Sequence, residues 1–353
     1  MVTLRHLGPN WYATVMGTSI VAGAGYALPF PIPGLAALWA LSALMLAVLL
    51  AARAAHWARH PDQARAHLRD PAVAPFYGCL SMALLSVGGG SLLFGAPAWV
   101  DGVLWVAGTA LGLAAAVAVP YLMVVRHEIT PGSASPVWLL PVVAPMVAAA
   151  QGPALIPHLP AGQWREAMLL GCYAMFGLSL LATLLILPMV LARLFHHGPL
   201  PLALTPTLFL VLGPLGQSTT AVNQLADAAP GVVPDPYAPA FAAFAVVYGV
   251  PVMGFALLWL ALAAALVVRA KRAGMGFAMT WWGFTFPVGT CVTGAAGLAH
   301  HTGLAAFSWL SVGLYGLLLA AWAVAAFHTG RGLFSGALLA APRAPRPAMA
   351  RTT

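Results

Sequence analysis

Residues 34–57 read GLAALWALSALMLAVLLAARAAHW, and the sole formal charge in the run, Arg53, stands near its end. About 20 consecutive apolar residues are what a helix needs to cross the hydrocarbon core of a bilayer, and no polar face recurs at helical spacing. The stretch therefore reads as a membrane span. The rest of the chain agrees with it: of 353 residues 61% are hydrophobic and only 6% charged, whereas soluble domains carry about 25% charged residues. A soluble fold is excluded, and so is disorder, because this chain has far more apolar surface to bury than folding entropy opposes. At about 20 residues per span the length allows roughly ten to twelve helices.

Apolar runs separated by turn residues or charge clusters mark ten expected spans, at 11–28, 34–57, 76–94, 99–125, 137–155, 166–192, 207–226, 237–268, 279–299 and 304–326. Charge position tests that count. With ten spans, fourteen of the fifteen Lys and Arg residues fall on one side and only Arg165 on the other. Positive residues accumulate on the cytoplasmic side, so both termini are expected there. Arg5 before the first span resembles the start of a signal peptide, but the alternation holds only if that span is retained. Residues 1–330 are expected to form one membrane domain, and 331–353, rich in Ala, Pro and Arg, a disordered cytoplasmic tail. The basic excess is thus read as topology, and no nucleic-acid partner is expected.

The spans fall into two classes. The odd-numbered ones carry eighteen Ser, Thr, Asn and Gln residues and the even-numbered ones six. Uncharged hydrogen-bonding groups are costly against lipid, so the odd spans should face one another or water. The expected fold is all-α and polytopic: five helical hairpins, each an inner helix followed by an outer one, with the five inner helices ringing a central pore.

Reagents for catalysis are missing. The seven carboxylates lie in loops or near span ends, the eleven histidines lie at span ends or in loops, and no Walker motif occurs. Cys79, Cys172 and Cys291 stand singly inside apolar runs and read as small packing residues. No enzyme activity, metal site or cofactor is expected. A path lined by hydroxyls, amides and glycine backbone binds ions weakly, which suits throughput, and a mouth ringed by Arg and Lys concentrates anions. Thr14, Thr18, Ser86, Gln217, Ser218, Asn223, Thr285 and Thr290 are the candidate lining residues. Within Thr280-Trp281-Trp282-Gly283-Phe284-Thr285-Phe286-Pro287-Val288-Gly289, Pro287 cannot donate its N–H and should kink the ninth span near Gly283. On these residues alone Phe286 reads either as a core aromatic beside the kink or as a plug in the path.

Asn10-Trp11-Tyr12 with Met16-Gly17-Thr18, Gly213-Pro214-Leu215-Gly216-Gln217, and Trp281-Trp282-Gly283-Phe284-Thr285-Phe286-Pro287 resemble the tellurite-resistance/dicarboxylate transporter family. That family includes tellurite-resistance proteins, malic-acid transporters, sulfite efflux pumps and plant slow-type anion channels. The likeness runs from about residue 6 to 328. It implies ten helices as five hairpins around a pore, a homotrimer, and a phenylalanine of the ninth helix occluding the pore. By motif position that residue is Phe286, supported by Pro287 and Gly283, with Phe284 the alternative if the register slips. The expected function is transport of anions, C4-dicarboxylates such as malate or small inorganic anions, across the cell membrane. Sulfite or tellurite efflux is the alternative, and a non-conducting membrane scaffold the alternative of another class.

Overall fold

A computed structural model describes residues 4–336 and 338. Among them the chain is all-helical: α1 (Tyr12–Tyr26), α2 (Leu35–Arg59), α3 (Pro61–Arg69), α4 (Tyr77–Leu93), α5 (Ala98–Val125), α6 (Leu139–Gln151), α7 (Gln163–His197), α8 (Leu212–Ala228), α9 (Tyr237–Arg272), α10 (Phe286–Thr302) and α11 (Ala305–Phe334), with short 3-10 segments between several of them.

Seven segments, not ten, are long and apolar enough to cross a membrane by length and composition. Helices α1, α8 and α10 fall short, with 15, 17 and 17 residues. The last two follow 3-10 stretches, Leu202–Val211 and Met279–Phe284, which break what the sequence reads as one continuous run. A further departure is α3, a short helix in a segment expected to be loop. Pro61 opens it, where a missing N–H costs nothing, and Ala64 and His67 are buried beneath it. At the other end α11 passes the boundary expected at residue 330 and stops only before Gly336, whose φ of 71° is left-handed. The remainder of the expected tail, residue 338 apart, lies outside the described residues.

Two burial classes separate these helices. In their apolar windows α2, α5, α9 and α11 are 17–28% buried, and α7 33%, whereas the segments containing α4 and α6 are 72% and 89% buried. Helices α1, α4, α6, α8 and α10 each pack against two others of their set, in the cyclic order α1–α4–α6–α8–α10–α1, and each also packs against the long helix that follows it. Glycine makes those approaches close: a Cβ on Gly78 of α4 would lie 2.7 Å from the Leu140 carbonyl carbon of α6, and one on Gly216 of α8 2.6 Å from the Thr290 carbonyl carbon of α10. Cys79, Cys172 and Cys291 are buried and free, as small packing residues should be.

The N-terminal segment is tied down by a buried cation. Arg53 of α2, 6% exposed, donates to the Leu7 carbonyl at 2.6 Å and the Tyr77 hydroxyl at 2.7 Å, and lies 3.1 Å from His56 Nδ1 and 3.5 Å from His67 Nδ1. Among the described residues no carboxylate forms an ion pair with it. Leaving such a charge unsatisfied would cost several kcal/mol, so these contacts fix how α1 enters the bundle.

Candidate functional site

Helix α10 presents two sides to its cyclic neighbours. Thr285, just before it, and Gly289 meet Gly17 and Ile20 of α1, while Thr290, Gly294 and Gly297 meet Gly216, Thr219 and Asn223 of α8. At 3.6 residues per turn, Phe286, Thr293 and His300 lie on the arc between those two sides. The opposite arc carries Leu298, which meets Gly249 of α9. Phe286 therefore points away from the outer helices, and it is only 3% exposed. On α8 the same construction selects Gly213, Gln217, Thr220 and Gln224. A Cβ on Gly213 would meet nothing within 4 Å.

Exposure along both arcs rises toward one end. Phe286 and Gln217 are buried, Thr220 is 9% exposed, Thr293 and Gly297 are half-buried, and Gln224 and His300 are exposed. Burial on both helices thus runs from exposed side chains where α8 and α10 finish to covered ones at the level of Phe286. Between those levels the Thr220 and Thr293 hydroxyls are 2.7 Å apart. Gln217 forms no hydrogen bond to the described residues, and Ser86 Oγ on α4 is buried without a partner. At the mouth Asp227 Oδ1 lies 3.2 Å from His301 Nε2 and 3.7 Å from His300 Nε2.

The sequence-derived candidates divide. Phe286 and Gln217 are buried on the arcs just described, and Ser86 is buried on α4. Thr14 and Thr18 border an apolar groove between α2 and α11, where Thr18 donates to the Thr14 carbonyl at 2.8 Å and accepts from Trp322 Nε1 at 3.1 Å. Ser218 lies in a second outward groove beside Tyr248 of α9 and donates to the Leu215 carbonyl. Thr285 caps the Trp282 carbonyl at 2.7 Å in the α1–α10 seam. Thr290, fully buried, donates to the Pro287 carbonyl at 2.7 Å in the α8–α10 seam. Asn223 lies against Gly297 in that seam and donates to the Thr219 carbonyl at 2.7 Å. In each case the hydroxyl or amide serves its own helix backbone, a use that spacing alone does not distinguish from lining.

Pro287 does not kink a continuous helix. It occupies the first turn of α10, where its absent N–H is one of the orphans anyway, and the chain turns at Thr285 (φ −92°, ψ −77°). Gly283 belongs to the preceding 3-10 segment, and Phe284 is engaged elsewhere, edge-on to Phe209 at 4.8 Å and to Trp281 at 5.8 Å. Thr220, Thr293 and Gln224 were not singled out from sequence. The signal was present as the stripe 213, 217, 220, 224, spaced to stay on one helical face.

A family model described as voltage-dependent anion channel (SLAC1) matches residues 6–330. An uncharacterized transporter of Methanocaldococcus jannaschii is 27% identical, covering 94% of this chain and 95% of its own. A sulfite efflux pump of Trichophyton rubrum is 30% identical over 83% of this chain and 81% of its own, and one of Arthroderma otae 29% identical over 91% and 89%. With the match spanning every helix of the ring, the chain belongs to the voltage-dependent anion channel family.

Proposed function

We propose that this protein passes small inorganic anions of the sulfite class across the cell membrane, through a path enclosed by α1, α4, α6, α8 and α10 and plugged by Phe286. In this reading α1, α2 and α4 to α11 span the bilayer as five hairpins, the three shorter ones within the ring, with both termini cytoplasmic as the fourteen-to-one charge distribution favours. The observation that carries it is the graded burial along the facing arcs of α8 and α10, deepest at Phe286 and Gln217. Apolar constrictions close pores by excluding water.

The charge census supports the choice of cargo. Among the described residues the five ring helices hold no Lys or Arg, and their only formally charged or imidazole groups, Asp227, His300 and His301, sit at the mouth. Gln217 and Ser86 offer donors without fixed charge. The desolvation cost of an ion grows with the square of its charge, so such a path favours monoanions, hydrogensulfite among them, over a dianion such as malate. Relatives named as sulfite efflux pumps point to the same class. A homotrimer belongs to the proposal through the family resemblance alone.

Radiotracer or stopped-flow flux of nitrate, hydrogensulfite and malate in proteoliposomes, comparing wild type with Phe286→Ala, tests it. A larger flux in the variant, with malate slowest, is expected. Equal flux in the two proteins removes the plug, and no flux from either favours a non-conducting scaffold.

A further inference from the structure

Helices α7 and α9 both pack on the ring helix α8, and a cleft of about 610 Å³ lies between them toward their N-terminal ends. At about 30 Å³ per water-sized group, that is room for roughly twenty such groups. Glu166 and Tyr173 of α7 line one wall and Tyr237, Phe241 and Phe244 of α9 the other, with Pro234 of the preceding loop beside them.

Helical spacing brings these side chains together. Positions 166 and 173 share one face of α7, as 237, 241 and 244 share one face of α9. Tyr173 reaches across to Phe241 and Phe244, with ring centroids 5.2 and 6.5 Å apart, and Phe176 meets Phe244 at 6.1 Å. Phe241 and Phe244 follow Tyr173 and Phe176 by the same 68 positions, so α7 and α9 run in one direction and Glu166 comes level with Pro234. The cleft therefore has a carboxylate at its outer end and aromatic rings about two helical turns further in. Tyr237 is 62% and Tyr173 39% exposed, so ring surface is left open to an occupant.

That carboxylate has no counter-charge. Glu166 makes no ion pair among the described residues, and no other charged side chain lines the cleft. The neighbouring Arg165 is turned to the carbonyls of Leu159 at 2.9 Å and Pro157 at 3.1 Å. A carboxylate beside the faces of Tyr and Phe rings is the chemistry that recognises quaternary ammonium groups, which the ring quadrupole attracts. A small hydrated metal ion would find one carboxylate and otherwise apolar walls. A zwitterionic lipid head would bring its phosphate next to Glu166. Charge complementarity thus favours an organic cation that carries an apolar chain.

We propose that the cleft between α7 and α9 binds an amphiphilic quaternary ammonium ion, its head between Glu166 and Tyr237 and its chain along Phe241 toward Tyr173 and Phe244. This site is separate from the path through the ring, and it stands whether or not that path conducts.

Titration calorimetry of the full chain in dodecyl maltoside tests it, with hexyltrimethylammonium as the probe and hexanesulfonate as the anion of equal chain length. The cation should bind and the anion should not. Glu166→Gln should weaken the cation about fivefold, the worth of one exposed ion pair, and Tyr173→Leu about two- to fivefold, the worth of one exposed cation–π contact. Ala240 lines the cleft and is exposed, so Ala240→Trp should fill it and abolish binding. Leu170→Trp, on the facing wall, is the second variant should Ala240→Trp fail to fold. Equal binding of cation and anion, or cation affinity unchanged by Glu166→Gln or by the filling variants, overturns the proposal. A filling variant that lowers the oligomeric state assigns the cleft to a second copy of the chain and overturns it too. Displacement of the probe by phosphatidylcholine in nanodiscs assigns the cleft to a lipid head group, with the same result.

Discussion

Replacing Phe286 with alanine separates a plug from an ordinary core aromatic, because the two readings give opposite signs. The ring is 3% exposed. To open the path it must leave that site, and exposing a buried Phe costs about 1.5–3 kcal/mol. At about 1.4 kcal/mol per tenfold, the plug is displaced in roughly one molecule in 10 to 150, so Phe286→Ala should raise nitrate flux by about that factor. As a core residue it should instead lower stability by about 3–5 kcal/mol and leave flux unchanged. Flux in proteoliposomes, run beside thermal unfolding of the same preparations in detergent, reads both quantities. A variant destabilised by that amount, with wild-type flux per folded molecule, would refute the placement of Phe286.

Four further substitutions or conditions probe the surrounding structure. Thr18→Val should leave nitrate flux within about twofold of wild type, since the hydroxyl faces the outer groove; a large loss in the same assay would return Thr18 to the path. Gly17→Leu should lower the melting temperature, because its Cβ would meet the Trp282 ring at 2.7 Å; overpacking of this kind costs about 1–3 kcal/mol. Thr220→Val and Thr293→Val each remove one hydroxyl of a 2.7 Å pair while the other keeps a backbone carbonyl partner, of Gly216 or Thr290, so each should cost about 0.5–1.5 kcal/mol. The double variant should cost less than the sum of the two, as a double-mutant cycle of melting would show. Burial and the neighbouring Arg53 charge lower the His67 pKa from 6.5 to about 4. The unfolded chain thus takes up a proton below pH 6.5 that the folded chain refuses until about pH 4, so stability should fall across that window, by at most about 3 kcal/mol. Melting of wild type and His67→Gln at pH 7.5 and pH 5 checks it, the variant showing the smaller decrease.

Much of the architecture is legible in the sequence, and the physical reasons differ by element. The long outer helices announce themselves because lipid leaves them no polar residues: α2 begins and ends within two residues of the run first quoted. The ring helices were recognisable as a class by hydroxyl count, but not by extent. The residues ahead of α8 and α10 adopt 3-10 geometry that apolar content does not register, and α3 hides in a short polar loop. Site residues fared worse where a hydroxyl had a second use. Thr14, Thr18, Ser218, Thr285 and Thr290 all donate to a carbonyl three or four residues earlier, so their presence on a ring helix says nothing of the direction they face. Of the two candidate amides Gln217 makes no such bond, whereas Asn223 donates back to the Thr219 carbonyl, so an amide on a ring helix is no surer sign of direction.

Accessibility from the aqueous phase tests the proposed path most directly. In a background lacking Cys79, Cys172 and Cys291, cysteine is placed at position 293 or position 18 and treated with an anionic thiosulfonate while nitrate flux is followed. Modification at 293, half-buried on the inward arc of α10, is expected to stop the flux, and treatment at 18, in the outer groove, to leave it unchanged. Flux that survives full modification at 293, or is lost on modification at 18, would contradict a path between α8 and α10.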